Sequence, residues 1–440
     1  MVASIATRKK FRDFSFLSQI NISCGIRTEI IAQKELTGIF ESYNVKQTES
    51  GGRKEVSGQA ETEGGKMKEY KIPVLPGDGV GPEVIQEGKR VIDAVASLEG
   101  FKIEWIHFPH GTDHYLKTGE ILSEKSLEEL GKHRALYVGA IGDPRVDPGV
   151  VDAIIVGLRF AFDQYVNFRI VKLLEGVSGP LKDKGPKDID FVVLRENVED
   201  FYIRVGARAR RGSSQHQLSL RRKIYRTTFD LGVQTDAEEI GFHIGSISRE
   251  GSRRIIKYGF EVARKTGKTR VTLLDKANVL PEMYLLWREV ASQVSRDYPG
   301  IEMEFMYADA ATMWFVKNPE HFQVVVAPNL FGDIVTDLAA AISGGMGLAP
   351  GANLNPEGTS MFEPIHGSAP KYAGQNIANP VATIWAGALM LDYLGEPKAA
   401  QRITRAIENI LKAGKIKTRD LGGQAKTTEM GDAIAGEAVR

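Results

Sequence analysis

From Tyr70 onward, apolar and polar positions fall into a repeating order. YKIPVLPGDGVGPEVIQEGKRVIDAVA reads as an apolar strand, a glycine turn and a helix. Further apolar runs end in polar loops at 134–143 (RALYVGAIGD), 188–197 (DIDFVVLREN), 269–278 (TRVTLLDKAN), 301–310 (IEMEFMYADA) and 322–333 (FQVVVAPNLFGD). Helical spacing lies beside most of them, as in SREGSRRIIKYGFEVARKTG at 248–267. This alternation predicts an α/β protein with a largely parallel central sheet. Ligands of such sheets gather at the carboxyl ends of strands, where most of the unexpected polar residues stand.

The first 66 residues lack this periodicity, and 50–66 (SGGRKEVSGQAETEGGK) read as linker or disorder. Residues 1–28 carry five basic residues and one acidic, with several serines, which suggests an organellar transit peptide. The favoured reading places the true start at Met67, because EGGKM fits a ribosome-binding site translated in frame. Residues 1–66 are therefore left out of the expected fold. The expected compartment is the cytoplasm, or an organelle if the leader is genuine.

Composition narrows the function classes. The chain has 440 residues, 42% hydrophobic and 26% charged, enough for two domains with sizeable cores. A formal charge of +1 gives no global attraction to nucleic acid or anionic membrane. Cys24 is the single cysteine, so intramolecular disulfides and cysteine metal cages are excluded. No apolar run approaches the ~20 residues that span a bilayer. Segment 203–223 holds seven basic residues and no acid, but no aromatics interleave, so a solvated loop or β-arm is expected rather than a nucleic-acid groove.

Candidate chemistry sits in five blocks. In NLFGDIVTDLAAA, Asp333 and Asp337 stand one helical turn apart and can face one divalent cation; the alternative is a solvated helix start. Asp309 precedes an apolar helix, where it is a third hard oxygen ligand for Mg²⁺ or Mn²⁺, or only an N-cap. Arg159, Arg169 and Arg195 end apolar segments and suit a substrate with two carboxylates; each alone could equally be a surface ion pair. Lys276 closes an apolar strand, as a buried proton carrier or a snorkelling structural lysine. The glycines of PGDGVGP, at 77, 79 and 81, miss the G-x-G-x-x-G spacing, so this is a tight turn near a ligand and not a Rossmann fingerprint. FEPIHGSAPKYAGQNIANP (362–380) is a long loop that can offer backbone donors to a phosphate and the Asn379 side chain to a base edge.

These blocks, in this order over residues 70–435, resemble the metal-dependent β-decarboxylating dehydrogenases, the isocitrate/isopropylmalate dehydrogenase family. NLFGDIVTDLAAAISGG, FEPIHGSAPKYAGQNIANP and DKANVL carry most of the likeness. The resemblance implies a two-domain isopropylmalate-dehydrogenase-like fold: a large cofactor-binding domain from 67–164 plus 344–440, and a small domain with dimer interface and arm from 165–343. It implies oxidation of a 2-hydroxy dicarboxylate with hydride transfer to NAD(P), then loss of the β-carboxylate as CO₂. By that resemblance Asp333 and Asp337 are metal ligands of one subunit and Asp309 a ligand given by its partner. Lys276 is the base of the oxidation, Tyr202 protonates the enol, and Arg159, Arg169 and Arg195 clamp the substrate carboxylates. Because Lys276 and Asp309 cross the interface in the family, a homodimer with shared sites is expected. Asn278, His366, Gly367, Ser368, Ala369, Lys371, Tyr372, Asn379 and Arg419 fall on the cofactor-binding positions. The chain departs from the family in Ile170, where a proline follows the second arginine, and in ENVEDFY, which lacks the commoner glycine.

Substrate choice in the family rests on the turn before the first clamp arginine. Here Ile155 and Val156 stand there, with Val279 in DKANVL, and an apolar pair would leave a γ-carboxylate desolvated and unpaired. The expected substrate is 3-isopropylmalate, with tartrate or D-malate second and isocitrate or homoisocitrate third. A silent regulatory paralogue is the non-enzymatic alternative. Lys371-Tyr372 replaces the Asp-Ile of NAD-preferring relatives, and Arg419 lies near a second phosphate contact, so NADP is expected over NAD, although Gly423 stands where a further arginine would complete that set.

Overall fold

The computed structural model describes residues 67–440. The expectation for residues 1–66 lies outside the described residues. In chain order the elements are β1 (Lys68–Leu75), α1 (Gly81–Glu99), β2 (Phe101–His107), α2 (Thr112–Thr118), α3 (Glu124–Leu130), β3 (Ala135–Val138), α4 (Pro148–Ala161), β4 (Val166–Lys172) and β5 (Asp190–Glu196). Then come β6 (Asp200–Arg221), β7 (Arg226–Ser246), α5 (Arg249–Thr266), β8 (Arg270–Asp275), α6 (Pro281–Val294), β9 (Glu302–Tyr307), α7 (Ala308–Lys317), β10 (Val324–Ala327) and α8 (Asn329–Ile342). The chain closes with β11 (Pro350–Leu354), β12 (Ser360–Pro364), α9 (Val381–Tyr393), α10 (Pro397–Ala413) and α11 (Thr427–Ala438).

Ten strands form one sheet in the order β2-β1-β3-β12-β11-β4-β5-β10-β8-β9. Six neighbouring pairs are parallel, and the three around β4 and β11 are antiparallel. The sheet is therefore largely parallel, as its sequence predicts. Short strands such as VVVA of β10 are apolar at every position because helices cover both faces. Val324 and Val326 join the core under α5 and α6, while Val325 and Ala327 face the core under α7 and α8. The two-residue period of a strand produces this split.

Helix ends follow local chemistry. Ser248 caps α5 by accepting the Gly251 N–H, and Gly267 ends it at φ 69°, a conformation that favours glycine. Gly79, also at positive φ, lies where a Cβ would overlap the Ser368 carbonyl. The glycine turn is thus held against the chain's own 366–372 loop through the bond from Val80 N to Ser368 O, 2.8 Å.

Strands β6 and β7 pair as a separate two-stranded ribbon. The basic segment is a β-arm, but not a wholly solvated one. Arg222 at its turn is half-buried, with its guanidinium 4.1 Å from the Phe160 ring and Nε donating to the Val198 carbonyl at 2.6 Å. Among the described residues, no helix is long and apolar enough to cross a membrane.

Candidate active site

Helix α8 begins at Asn329, so Asp333 lies beyond its first turn and the reading as a solvated helix start does not hold. That start is held instead by Asp200, whose carboxylate accepts Leu330 N–H at 2.8 Å and Tyr284 O–H at 3.0 Å. Asp333 is gripped from two sides: Arg195 Nη1 pairs with Oδ1, and the Tyr202 hydroxyl donates to Oδ2 at 2.5 Å. The Arg195 guanidinium also lies 4.6 Å from the Tyr202 ring centre. Gly332 makes this possible, because a Cβ there would stand 2.5 Å from Arg195 Cγ. Partial burial, then the charge of Asp333 one turn away, raises the pKa of Asp337; Arg169 and Arg195 oppose the rise. Two neighbouring carboxylates, one of them held unwillingly in its charged form, are a donor set that fits a hard divalent cation.

The three arginines converge on these aspartates. Arg195 is buried in β5, and its Nε donates to Asn329 Oδ1 at 2.9 Å. Arg169 Nε donates to Asn167 Oδ1 at 2.6 Å. Arg159, in the last turn of α4, lies 3.5 Å from Glu363. Burial pushes the Arg169 pKa down to about 10 and lowers that of Arg159, in each case with neighbouring guanidinium charge adding to the effect. Arg159 Nε and Arg195 Nη2 are buried with no hydrogen-bond partner. Buried donors are nearly always paired, so these point to a missing anion.

A second group of expected residues lies elsewhere in the chain. Lys276 Nζ donates to Asp309 Oδ1 at 2.6 Å and sits 5.5 Å from the Tyr307 ring. Lys276 is not buried as one sequence reading had it; its side chain is 24% exposed. Asp309 is inside the first turn of α7, and Tyr307 is the N-cap, so the capping reading of Asp309 fails. Within one chain, Asp309 does not join Asp333 and Asp337 in a set of ligand atoms within 4.8 Å of one another. Val279 is 61% exposed and Asn278 is exposed, on this same outer surface.

Ile155 and Val156 lie one turn before Arg159 on α4. Ile155 packs on the core beside Leu158, and Val156 lines a cavity of about 570 Å³ between α4 and the arm. In the 362–380 loop, Ser368 Oγ donates to the Gly142 carbonyl, and Ala369 adopts a left-handed turn at φ 41°. Gly367 is exposed. His366 Nδ1 lies 3.0 Å from the Gly367 carbonyl, and burial lowers its pKa. Lys371 extends over the Tyr372 ring at 4.7 Å. Asn379 is engaged internally: its Nδ2 donates to Asp420 Oδ2 at 2.9 Å, and its Oδ1 accepts Val381 N–H at 3.0 Å. The first of these bonds brings the exposed Arg419 beside the loop.

A sequence model described as isocitrate/isopropylmalate dehydrogenase matches residues 71–434. The chain belongs to the isocitrate/isopropylmalate dehydrogenase family. A 3-isopropylmalate dehydrogenase of Thermobifida fusca is 41% identical over 83% of this chain and 96% of its own. A probable tartrate dehydrogenase/decarboxylase of Agrobacterium vitis is 39% identical over 85% of this chain and 98% of its own. The crystal structure of isocitrate dehydrogenase from Methylococcus capsulatus superposes with a TM-score of 0.71, at 34% identity, covering 84% of this chain and 99% of that one. The protein is thus an oxidoreductase of a family whose members act on small hydroxy acids and use NAD(P) with Mg²⁺ or Mn²⁺.

Family motifs did not reveal the supporting residues. Asn353 joins the two halves of the sheet: its Oδ1 accepts from Asn167 at 2.8 Å and from Asn197 at 3.0 Å, while its Nδ2 donates to Glu363 at 2.7 Å. Only the antiparallel register at β4 and β11 places these buried amides together. Below Arg195, Glu196 is buried, and burial followed by the nearby Glu199 pushes its pKa up to about 8. In the fold it holds its proton at pH values where the unfolded chain releases it, so stability falls as pH rises from about 4.5 to about 8. The thermal midpoint is expected to fall across that window, and Glu196→Gln to flatten the fall. Equal slopes in melting curves of the two proteins would contradict this.

Proposed function

We propose that the protein catalyses the oxidative decarboxylation of 3-isopropylmalate, in a site completed by a second copy of the chain. The observation that carries the reaction class is the convergence of Arg159, Arg169 and Arg195, with two unpartnered buried N–H groups, beside Asp333 and Asp337. The arginines hold the two substrate carboxylates in bidentate fashion. Asp333 and Asp337 would hold Mg²⁺ or Mn²⁺, which when bound supplies Lewis-acid stabilisation of negative charge on the substrate oxygen. Lys276 Nζ, once it has given up the proton it shares with Asp309, would take the hydroxyl proton, and a bound NAD(P) would supply the hydride acceptor. After CO₂ leaves, the Tyr202 hydroxyl gives a proton to the enol carbon. Burial, then the hydrogen bond to Asp333, raises the Tyr202 pKa and so keeps that proton in place until it is needed.

Support for shared sites comes from the ion pair that Lys276 makes with Asp309, away from the other two aspartates. Exposed Val279 and Tyr307 would be covered by the same contact. Support for 3-isopropylmalate is the apolar pair Ile155 and Val156 on the turn before Arg159, whose own side chains offer no hydrogen-bond donor to a γ-carboxylate. The test is metal-dependent reduction of NAD and NADP with 3-isopropylmalate, D-malate, tartrate, isocitrate and homoisocitrate, with EDTA controls. Highest kcat/KM on 3-isopropylmalate is expected; preference for tartrate, D-malate or isocitrate would replace the substrate named here.

For the cofactor we propose NADP, held at its 2′-phosphate by Lys371, Tyr372 and Arg419. Gly423 cannot simply become the missing arginine, since a Cβ there would overlap the Lys417 carbonyl oxygen. Lys371→Asp should shift the NADP-to-NAD ratio of kcat/KM toward NAD by at least about tenfold, the equivalent of roughly 1.4 kcal/mol. An unchanged ratio in steady-state kinetics would remove Lys371 from cofactor choice.

A further inference from the structure

A second cluster of ligating side chains lies apart from the carboxylate pair of α8. After β2 the chain runs through His110 into the short helix α2, which carries His114, and leaves it through Gly119 at φ 73° to Glu120. One ligand atom from each of His110, His114 and Glu120 falls within 4.8 Å of the others. The imidazoles lie 4.9 Å apart at 79° to one another. His110 is 4% exposed, and its Nδ1 is buried with no hydrogen-bond partner. Nε2 of His114 is likewise buried and unpartnered. Ring packing alone, including Phe108 stacked on His110, would leave both nitrogens desolvated and unpaired, which is costly.

The surroundings hold this cluster in place. Asp78 accepts Thr112 N–H and Thr112 O–H, each at 2.8 Å, and Gly142 N–H at 2.9 Å, so the start of α2 is fixed to the glycine turn after β1. Ser126 Oγ lies 3.5 Å from the Glu120 carboxylate. Two imidazoles and one carboxylate are a borderline donor set, suited to Zn²⁺ with a fourth position for water and unlike the all-oxygen set that suits Mg²⁺.

We propose that His110, His114 and Glu120 form a zinc site, distinct from Asp333 and Asp337, that ties the loop after β2 to the segment after α2. Ligation would take one nitrogen of each ring into a bond and so offset part of the cost of burying the pair. The segment is joined through Asp78 and the glycine turn to Ser368, so the bound ion would stiffen the support of the 366–372 loop.

The test uses the full chain. It is incubated with Zn²⁺, dialysed against excess Mg²⁺ and assayed for metal by mass spectrometry. About one zinc per chain is expected to remain in the unmodified protein and in Asp337→Asn. His114→Gln and Glu120→Gln are each expected to lower zinc affinity by at least about a hundredfold, more than loss of an outer-shell partner usually costs. Circular dichroism of both variants confirms folding, and visible d–d bands on Co²⁺ addition to the unmodified chain report four-coordinate ligation without any substitution. Zinc should also raise the thermal midpoint of the unmodified chain and not of the two variants. No retained zinc, or equal retention in His114→Gln and the unmodified protein, would overturn the site.

Discussion

Lys276→Met is expected to lower kcat by about 10²–10⁴-fold with little change in the substrate KM, the range lost when a positioned proton acceptor is removed. The side chain sits at the end of β8, where Asp275 is itself fixed by Arg288 at 2.6 Å, so its backbone is anchored independently of its own ion pair. The pair with Asp309 faces solvent and contributes little to folding. Loss of rate without loss of fold is therefore the expected pattern. Steady-state kinetics with matched melting curves check it. A variant that keeps its kcat would remove Lys276 from the proton-transfer step, and one that unfolds would make it a structural residue.

Asp337→Asn should weaken Mn²⁺ binding by more than about a hundredfold and abolish turnover at ordinary metal concentrations, since a direct ligand is worth more than an outer-shell partner. Its effect on the metal-free fold should run the other way. The Asp337 pKa is raised, so its ionisation costs stability once pH passes the ordinary carboxylate value of 3.8. Replacing it by a neutral amide should therefore raise the metal-free thermal midpoint at neutral pH. Titration with Mn²⁺, followed by electron paramagnetic resonance, and melting curves in EDTA measure the two effects. A lower midpoint, with metal affinity intact, would contradict the role given to this carboxylate. Asp333 is a less clean position for this comparison, because Arg195 and Tyr202 both depend on it.

Much of this was legible in the chain itself. Continuous apolar runs such as VVVA announce strands covered on both faces, and the cap and terminal glycine of α5 mark its ends. Strand limits were less legible: the apolar stretches at 301–310 and 322–333 each contain a strand and the start of a helix, because apolar side chains continue across the junction. The four-residue spacing of Asp333 and Asp337 allowed both to face one object, and the structure adds that Arg195 and Tyr202 grip Asp333 from two sides. The antiparallel middle of the sheet could not be read from periodicity, since strand direction leaves no trace in a two-residue alternation. For that reason Asn353, Asn167 and Glu363, which join the arginine clamp across the sheet, went unnoticed. Of the two readings of Lys276 the buried one fails, because the apolar run of β8 ends at Leu274 and Asp275 separates it from the lysine. Paired imidazoles at 110 and 114 gave no motif, because Glu120 reaches them only through the turn at Gly119.

In the proposed dimer each site takes Asp333 and Asp337 from one chain, and Lys276 and Asp309 from another. Mixing two inactive proteins tests this most directly. Lys276→Met and Asp337→Asn chains, exchanged in mild denaturant and refolded together, should form mixed dimers in which one of two sites has every residue intact. Random pairing predicts recovery of about a quarter of the unmodified activity. Activity no higher than that of the separate variants, with subunit exchange verified by mass spectrometry, would show that each chain carries its own complete site.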